Sequence, residues 1–581
     1  MTATDSARSS KHTPTAASAR PDGMLPQRQI NLIFVGLLIS MLLASLDQMI
    51  FSTALPTIVG ELDGVNHMLW VTTAYIVAVT VMMPIYGKLG DLIGRKVLMV
   101  AAILLFMAGS IIGGLAPDMT WLITGRAVQG LGGGGLMILA QAVIADIVPP
   151  KDRGKYMGPM GAVFGLCAVL GPILGGWFTE GIGWRWAFWI NIPLGVLALA
   201  AIAIFLKLPK RDFSRPKLDI AGIVFMAIAV TSLVLFTSWG GGEYEWNSPV
   251  ILSLIASTIV ASVIFVFVES RAQEPIIPLH LFKDRNFNLT TIAGLIISIA
   301  MFGAIGYLPT YLQMVHNLDA TASGFLLLPM VGGLLVTSIL SGQLASRTSH
   351  YKWMPIVSMV VTAFAMFLMS GISPETTMLT IGIYVGIFGL GLGLGMQILV
   401  LIVQNSFPVS QVGTATASNN FFREIGATLG AAIVGSIFVS RLTTLLAERI
   451  PVLPDASGGS ANTVDANALT PAVVRDLPDV LRDPIISSYN DAMVPIFSYM
   501  LPLLGIAFLL LLFVVEKPLE TTLTYGEDVD SPVAASAAHA VVTGAAAVSG
   551  ESALVGGDHK SQPASAGARG QDGVGRESRN E

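Results

Sequence analysis

Gly87 to Lys96 reads GKLGDLIGRK, with an apolar run of membrane-crossing length on each side. A run of about 20 apolar residues crosses a bilayer as a helix, so this stretch is expected to form a tight turn pinned at a membrane surface. The turn carries one acid, Asp91, and three bases, Lys88, Arg95 and Lys96. So placed, Asp91, Arg95 and Lys96 can interact with one another and with neighbouring helix ends. A hairpin made basic only to hold topology accounts for the bases but not for the Gly-x-x-x-Asp spacing of Gly87 and Asp91.

Composition extends the membrane reading to the whole chain. With 53% hydrophobic and 12% charged residues and a mean hydropathy of +0.72, the chain has more apolar surface than one soluble core can hide; a soluble domain is about a quarter charged. An integral membrane protein is expected. The net charge of -5 is small and no basic, aromatic-interleaved stripe occurs, so no nucleic-acid partner is expected. The single cysteine, Cys167, lies in an apolar run and excludes a disulfide framework or a cysteine metal cluster. Residues 1–29 lack the apolar core and cleavage site of a removable signal peptide. Residues 1–29 and 518–581 are rich in small and polar residues and are expected to be disordered tails.

Fourteen apolar runs begin between Asn31 and Met493. With the N-terminus placed in the cytoplasm, the five short inside loops from the Gly87 turn to the Arg347 turn carry sixteen lysines and arginines, and the six short outside loops carry only Arg185. That bias predicts a protein of the cytoplasmic membrane with both termini inside. GQLASRTSHYK, Gly342 to Lys352, follows the tenth run as GKLGDLIGRK follows the second, with Ser346 in place of the acid. The repeat predicts two six-helix halves, residues 30–206 and 286–517. Two helices remain, within residues 207–285, as an inserted hairpin. Residues 441–491, in which acids outnumber arginines seven to four, are expected to form a long outside loop, either a charged vestibule or simply solvated chain.

Charges within the apolar runs are few: Asp47, Arg126 and the adjacent Arg423 and Glu424. Each costs about 3 kcal/mol at the bilayer centre on insertion scales, so each is a functional candidate. An aspartate whose access to Arg126 changes with conformation would take up and release a proton; the alternative is a permanent Asp47–Arg126 pair that staples two helices. Gly161 and Gly165 permit close helix approach, while Gly171, Pro172, Gly175 and Gly176 weaken the second half of the same helix. Gly132 to Gly135 are not followed by Gly-Lys-Ser/Thr, so no phosphate loop is expected. Aromatic and amide groups of the C-terminal helices, among them Phe302, Tyr307, Tyr311, Gln397, Asn419, Asn420 and Phe421, are candidates to touch a flat or cationic ligand, although most such groups serve packing.

Several of these stretches resemble motifs of the major facilitator superfamily. GKLGDLIGRK resembles its motif A. LDQMIFSTALP, Leu46 to Pro56, resembles the helix 1 motif of the fourteen-helix drug/proton antiporter family; RAVQGLGGGG, Arg126 to Gly135, resembles motif B; GAVFGLCAVLGPILGG, Gly161 to Gly176, resembles motif C, the antiporter signature; and WRWAFWINIPLG, Trp184 to Gly195, resembles the segment opening helix 6. The resemblance implies an all-α major facilitator fold and a proton-coupled exporter of lipophilic, often cationic compounds. It implies proton coupling by Asp47, Arg126 and Glu424, gating by Gly87, Asp91, Gly94, Arg95 and Lys96, and bending at Gly171, Pro172, Gly175 and Gly176. Gln129 joins the substrate-binding candidates. Such a protein is not an enzyme, needs no cofactor beyond a proton gradient, and is expected to work as a monomer with lipophilic substrates, protons and lipid as its partners. Export of an endogenous lipid, siderophore or antibiotic-like metabolite, or a non-transporting sensor role, are the alternatives.

Overall fold

In a bilayer every backbone polar group must be satisfied within the protein, and helices do so locally. The computed structural model describes residues 25–62, 67–206, 218–241, 243–318, 320–450, 474–475 and 477–522. Among them the first half contains α1 (Gln27–Glu61), α2 (Met68–Ile93), α3 (Arg95–Gly114), α4 (Met119–Ile147), α5 (Pro150–Ile182) and α6 (Trp186–Phe205). A hairpin follows, α7 (Ile220–Trp239) and α8 (Pro249–Glu269). The second half contains α9 (Arg285–Val315), α10 (Ala322–Thr348), α11 (Trp353–Met369), α12 (Met378–Gln404), α13 (Val412–Arg449) and α14 (Asp479–Leu512). Thirteen of these are long and apolar enough to cross a membrane, and α11 is a shorter apolar helix. The chain is a multi-pass, all-helical membrane protein.

The two halves pair their helices in the same way. In the first, α4 packs on α2 and α3, and α1 on α5 and α6; in the second, α12 packs on α10 and α11, and α9 on α13 and α14. The two halves meet where α2 lies on α13 and α5 on α10. Burial follows this order: 83% of the apolar window of α4 is buried but only 11% of that of α8, which puts the hairpin at the periphery, with α7 resting on α2 and α13. The four glycines of α4 serve this packing. A side chain at Gly134 would strike Val79 of α2, and one at Gly132 would strike Phe106 of α3.

Three boundaries differ from the sequence reading. The Gly87 stretch is not a loop of several residues: α2 runs to Ile93, α3 starts at Arg95, and Gly94 alone makes the corner with φ 94°, a conformation that glycine adopts without strain. The outside segment expected at 441–491 is shorter, because α13 continues to Arg449 and α14 begins at Asp479. An Arg449–Asp491 ion pair of 2.6 Å holds the two extensions together; its middle, residues 451–473, lies outside the described residues. Residues 518–520, expected to belong to the tail, are ordered. Residues 514–520 form a strap in which Asn286 exchanges two hydrogen bonds with Val515, Glu516 accepts from the Tyr351 and Lys352 amides, and the Glu520 carbonyl accepts from the Lys151 amide. Burial holds the Tyr351 hydroxyl above its ordinary pKa, so it stays protonated and donates to the Lys517 carbonyl at 2.8 Å. The tails expected before residue 25 and after 522, and the basic segment Lys207 to Lys217, lie outside the described residues.

Candidate functional site

Asp47 is 1% exposed on α1, and its carboxylate is fully engaged. Oδ2 accepts from Arg126 Nη1 at 2.6 Å, and Oδ1 accepts from Gln129 Nε2 and Asn191 Nδ2, each at 2.7 Å. Gln129 also accepts from Arg126 and donates to Ser110. A buried ion pair is tolerated best when its remaining polar atoms find partners; α4 and α6 supply them to the carboxylate, with Ser110 of α3 behind them, whereas Arg126 Nε has no hydrogen-bond partner among the described residues. The Arg126 guanidinium lies between the rings of Phe51 and Tyr75, 4.2 and 4.1 Å from their centroids, which offsets part of its desolvation.

Two glycines of the fifth helix pack on α1 just beyond this network. A side chain at Gly171 would collide with Met49, and one at Gly175 would crowd Ile50 and Thr53, all on the turn of α1 that follows Asp47. Pro172 interrupts the α5 ladder between them. Gly176 meets nothing within 4 Å and so takes no part in that approach.

Beside the network lies a cavity of about 850 Å³. It is lined by Gly133, Met137 and Phe164 and, towards the ends of the helices away from the repeated turns, by Leu69, Ser440 and residues 243–246 of the hairpin. Glu424 lines it, and among the described residues no lysine, arginine or histidine does. Tyr75 belongs both to the cavity wall and to the Arg126 sandwich, so one aromatic ring separates the cavity from the buried ion pair. Arg423 points elsewhere, donating to Asn420 Oδ1 at 3.2 Å.

Of the residues expected to bind substrate, Tyr307 lines the cavity, as does Phe302. The others do not. Gln129 belongs to the Asp47 network. Tyr311 is buried and donates to Asn490 Oδ1 at 2.8 Å, and Asn419 donates to Thr291 at 3.0 Å. Asn420 reaches across to Gln141 Oε1 at 3.0 Å, Phe421 packs against Phe422, and Gln397 is buried facing Gly161. Most of these groups lie on helices that contribute to the cavity, α12 with Gln397 excepted, but on faces that do not.

Away from the cavity, at the end bearing the two repeated turns, the halves are in contact. Asp91 accepts from the Gly413 amide at 3.2 Å, the Thr414 amide at 2.7 Å and the Thr414 hydroxyl at 2.8 Å, capping α13 at the positive end of its dipole. Arg95 pairs with Asp91 and with Asp146, both at 2.7 Å, and donates to the Val409 carbonyl at 3.2 Å. At Gly87 an added side chain would run into Ala417. Lys96, expected at the gate, instead donates to the Ala203 carbonyl of α6 in its own half. The second repeat matches the first in position: Ser346 Oγ accepts from the Lys155 amide of α5 at 3.2 Å, and Gly154 faces Gly342 with no room for a side chain. Arg153, 1% exposed, donates to the Gln404 carbonyl at 3.1 Å.

The Gly154–Gly342 approach yields a prediction. Gly154→Val is expected to hold the two halves apart at this end, because its branched carbon would meet the Gly342 backbone, and overpacking of a tight contact costs about 1–3 kcal/mol. Thiol labelling of Arg153→Cys in a Cys167→Ala background should rise severalfold in the valine variant; unchanged labelling would sink the idea.

Ser110, Asn191, Asp146, Arg153 and Tyr75 escape the sequence reading. A signal existed for Asn191, a lone amide in the apolar segment WRWAFWINIPLG, and for Asp146, an acid closing an apolar run.

A buried acid on helix 1, a cavity lined by both halves and twin contacts between repeated halves describe a membrane transporter. The chain matches the Major Facilitator Superfamily over residues 37–431, and it belongs to that family. It is 39% identical over 507 residues to an uncharacterized MFS-type transporter of Mycobacterium tuberculosis (strain ATCC 25618 / H37Rv), covering 87% of this chain and 72% of that one. It is 36% identical over 521 residues to the multidrug transporter protein MdtP of Bacillus subtilis (strain 168), covering 86% and 96%. The solved structure of the proton:xylose symporter XylE aligns with a TM-score of 0.52 at 13% identity, covering 85% of this chain and 98% of that one, a likeness of fold alone. The protein is a membrane transporter and not an enzyme.

Proposed function

We propose that the protein is a proton-coupled multidrug exporter that binds lipophilic, often cationic compounds in the cavity and releases them by alternating access. The observation that carries this reading is the cavity itself: Glu424 with aromatic and thioether neighbours and, among the described residues, no basic residue in its lining, one ring away from Asp47 and Arg126. A cation and a proton would compete for these acids, which is antiport. The basic turns would face the cytoplasm, so the conformation described is closed inside and open outside, with both termini cytoplasmic. One proton crossing 100 mV supplies about 2.3 kcal/mol, enough for roughly a fiftyfold gradient of a neutral substrate. The multidrug name of the Bacillus subtilis relative supports the substrate class.

The test uses purified protein in liposomes with an internal pH dye. Lipophilic cations are expected to drive proton movement through the wild type, and Glu424→Gln is expected to lower that response about tenfold or more, since it removes the carboxyl group that α13 contributes to the cavity. No proton movement in wild type with any member of a broad panel would overturn the proposal.

A further inference from the structure

The inserted hairpin joins the halves, but its connecting turn does more than connect. Gly240, Gly241, Glu243, Tyr244, Glu245 and Trp246 all line the cavity. The turn is built, not slack. The Glu243 and Tyr244 amides both donate to the Trp239 carbonyl, and the Gly241 amide donates to the Tyr244 carbonyl. Gly241 has φ 79°, which keeps the turn tight, and the Trp246 indole lies over Gly240 and Gly241 so closely that a side chain at either would meet it. Trp239 anchors the turn to α2 through an edge contact with Trp70, with centroids 5.3 Å apart. Trp246 also borders a second space of about 340 Å³ between α7 and α13. The indole, with Thr237, Ala432 and Ser436, therefore separates the cavity from that lipid-side cleft.

We infer that this turn is the outer wall of the substrate site, where the Trp246 ring and the Glu243 and Glu245 carboxylates select lipophilic cations ahead of Glu424. The inference rests on the multidrug reading above and deepens it by assigning specificity to the hairpin. Neither glutamate has an ion-pair partner among the described residues, so both charges are free to face a ligand. An indole edge or face beside carboxylates suits a delocalised cation, which gains from the ring quadrupole and loses little hydration. The turn lines the same end of the cavity as Leu69, at the start of α2, and Ser440, towards the end of α13.

The experiment measures equilibrium binding, independent of proton coupling, of tetraphenylphosphonium and of neutral triphenylphosphine oxide to the full-length protein in nanodiscs. Glu243→Gln/Glu245→Gln is expected to weaken cation binding about tenfold and leave the neutral probe within about twofold. Trp246→Ala is expected to weaken both, by opening the cavity to the cleft, with Trp246→Phe restoring most of the loss. Unchanged cation binding in the double glutamine variant overturns the turn's role alone. A wild type that binds neither probe overturns the multidrug reading, and this inference with it. Equal loss of both probes in the glutamine variant also overturns it, because the effect would then be structural and not a matter of charge.

Discussion

Asp47→Asn is expected to abolish substrate-driven proton movement in liposomes. An asparagine keeps the shape of the carboxylate but offers one acceptor and one donor, whereas three donors from Arg126, Gln129 and Asn191 converge on Asp47. Whichever way the amide turns, donor faces donor on one side. Arg126, 2% exposed, is left with no compensating charge, and breaking a buried pair in this way costs about 3–5 kcal/mol. Loss of folding would imitate loss of coupling, so Asp47→Asn/Arg126→Gln is the deciding companion. A pair that only staples α1 to α4 predicts that the double variant regains both stability and proton movement. A coupling pair predicts restored thermal stability with proton movement still absent. Proton movement at wild-type levels in the single variant would remove Asp47 from the mechanism.

The second large effect is expected at the closed end. Asp91→Ala removes a carboxylate that takes three hydrogen bonds at the start of α13, and it deprives Arg95 of one of its two acids. Hydrogen bonds to a charged group are worth about 1.5–3 kcal/mol each at most, and α2 is freed from α13 without leaving a cavity in a core. A loss of about 2–3 kcal/mol from the closed arrangement alone would shift its population roughly 30- to 150-fold. Spin labels at Lys155 and Gln343, exposed positions on α5 and α10, should then report a longer and broader distance distribution. An unaltered distribution would show that Asp91 does not hold this end shut.

How much of this was legible in the residues depends on the range of the interaction. The fourteen apolar runs and the repeated turn are local patterns, and the structure follows them helix by helix. Asp47 and Arg126 stand out because a charge in an apolar run is conspicuous wherever its partner lies. The partners are another matter. Asn191 reaches Asp47 from a helix far along the chain, and although a lone amide in an apolar run is visible, its partner is not; Ser110 joins only through Gln129 and Asn191, and nothing in its own neighbourhood announces it. Asp91 was visible as an acid with no assigned partner, because its partners are mostly backbone amides of α13, and a backbone amide leaves no mark in a sequence. The substrate candidates fared worst. Tyr307 and Tyr311 lie one helical turn apart, yet the first lines the cavity and the second is bound to Asn490. A full membrane helix is apolar all round, so periodicity does not distinguish its cavity face from its lipid face.

The two seams that join the halves are equivalent by repeat but unlike in kind. Along α2 and α13 a carboxylate meets a helix dipole; along α5 and α10 a neutral hydroxyl and bare backbone meet backbone. Charge acts over several ångströms and falls off gently, while dispersion between touching atoms vanishes within about an ångström of separation. In a closing movement the first seam would be felt early and would steer the approach; the second would count only at contact and would set the final register. Steering and seating are thus divided between the two copies of one ancestral turn.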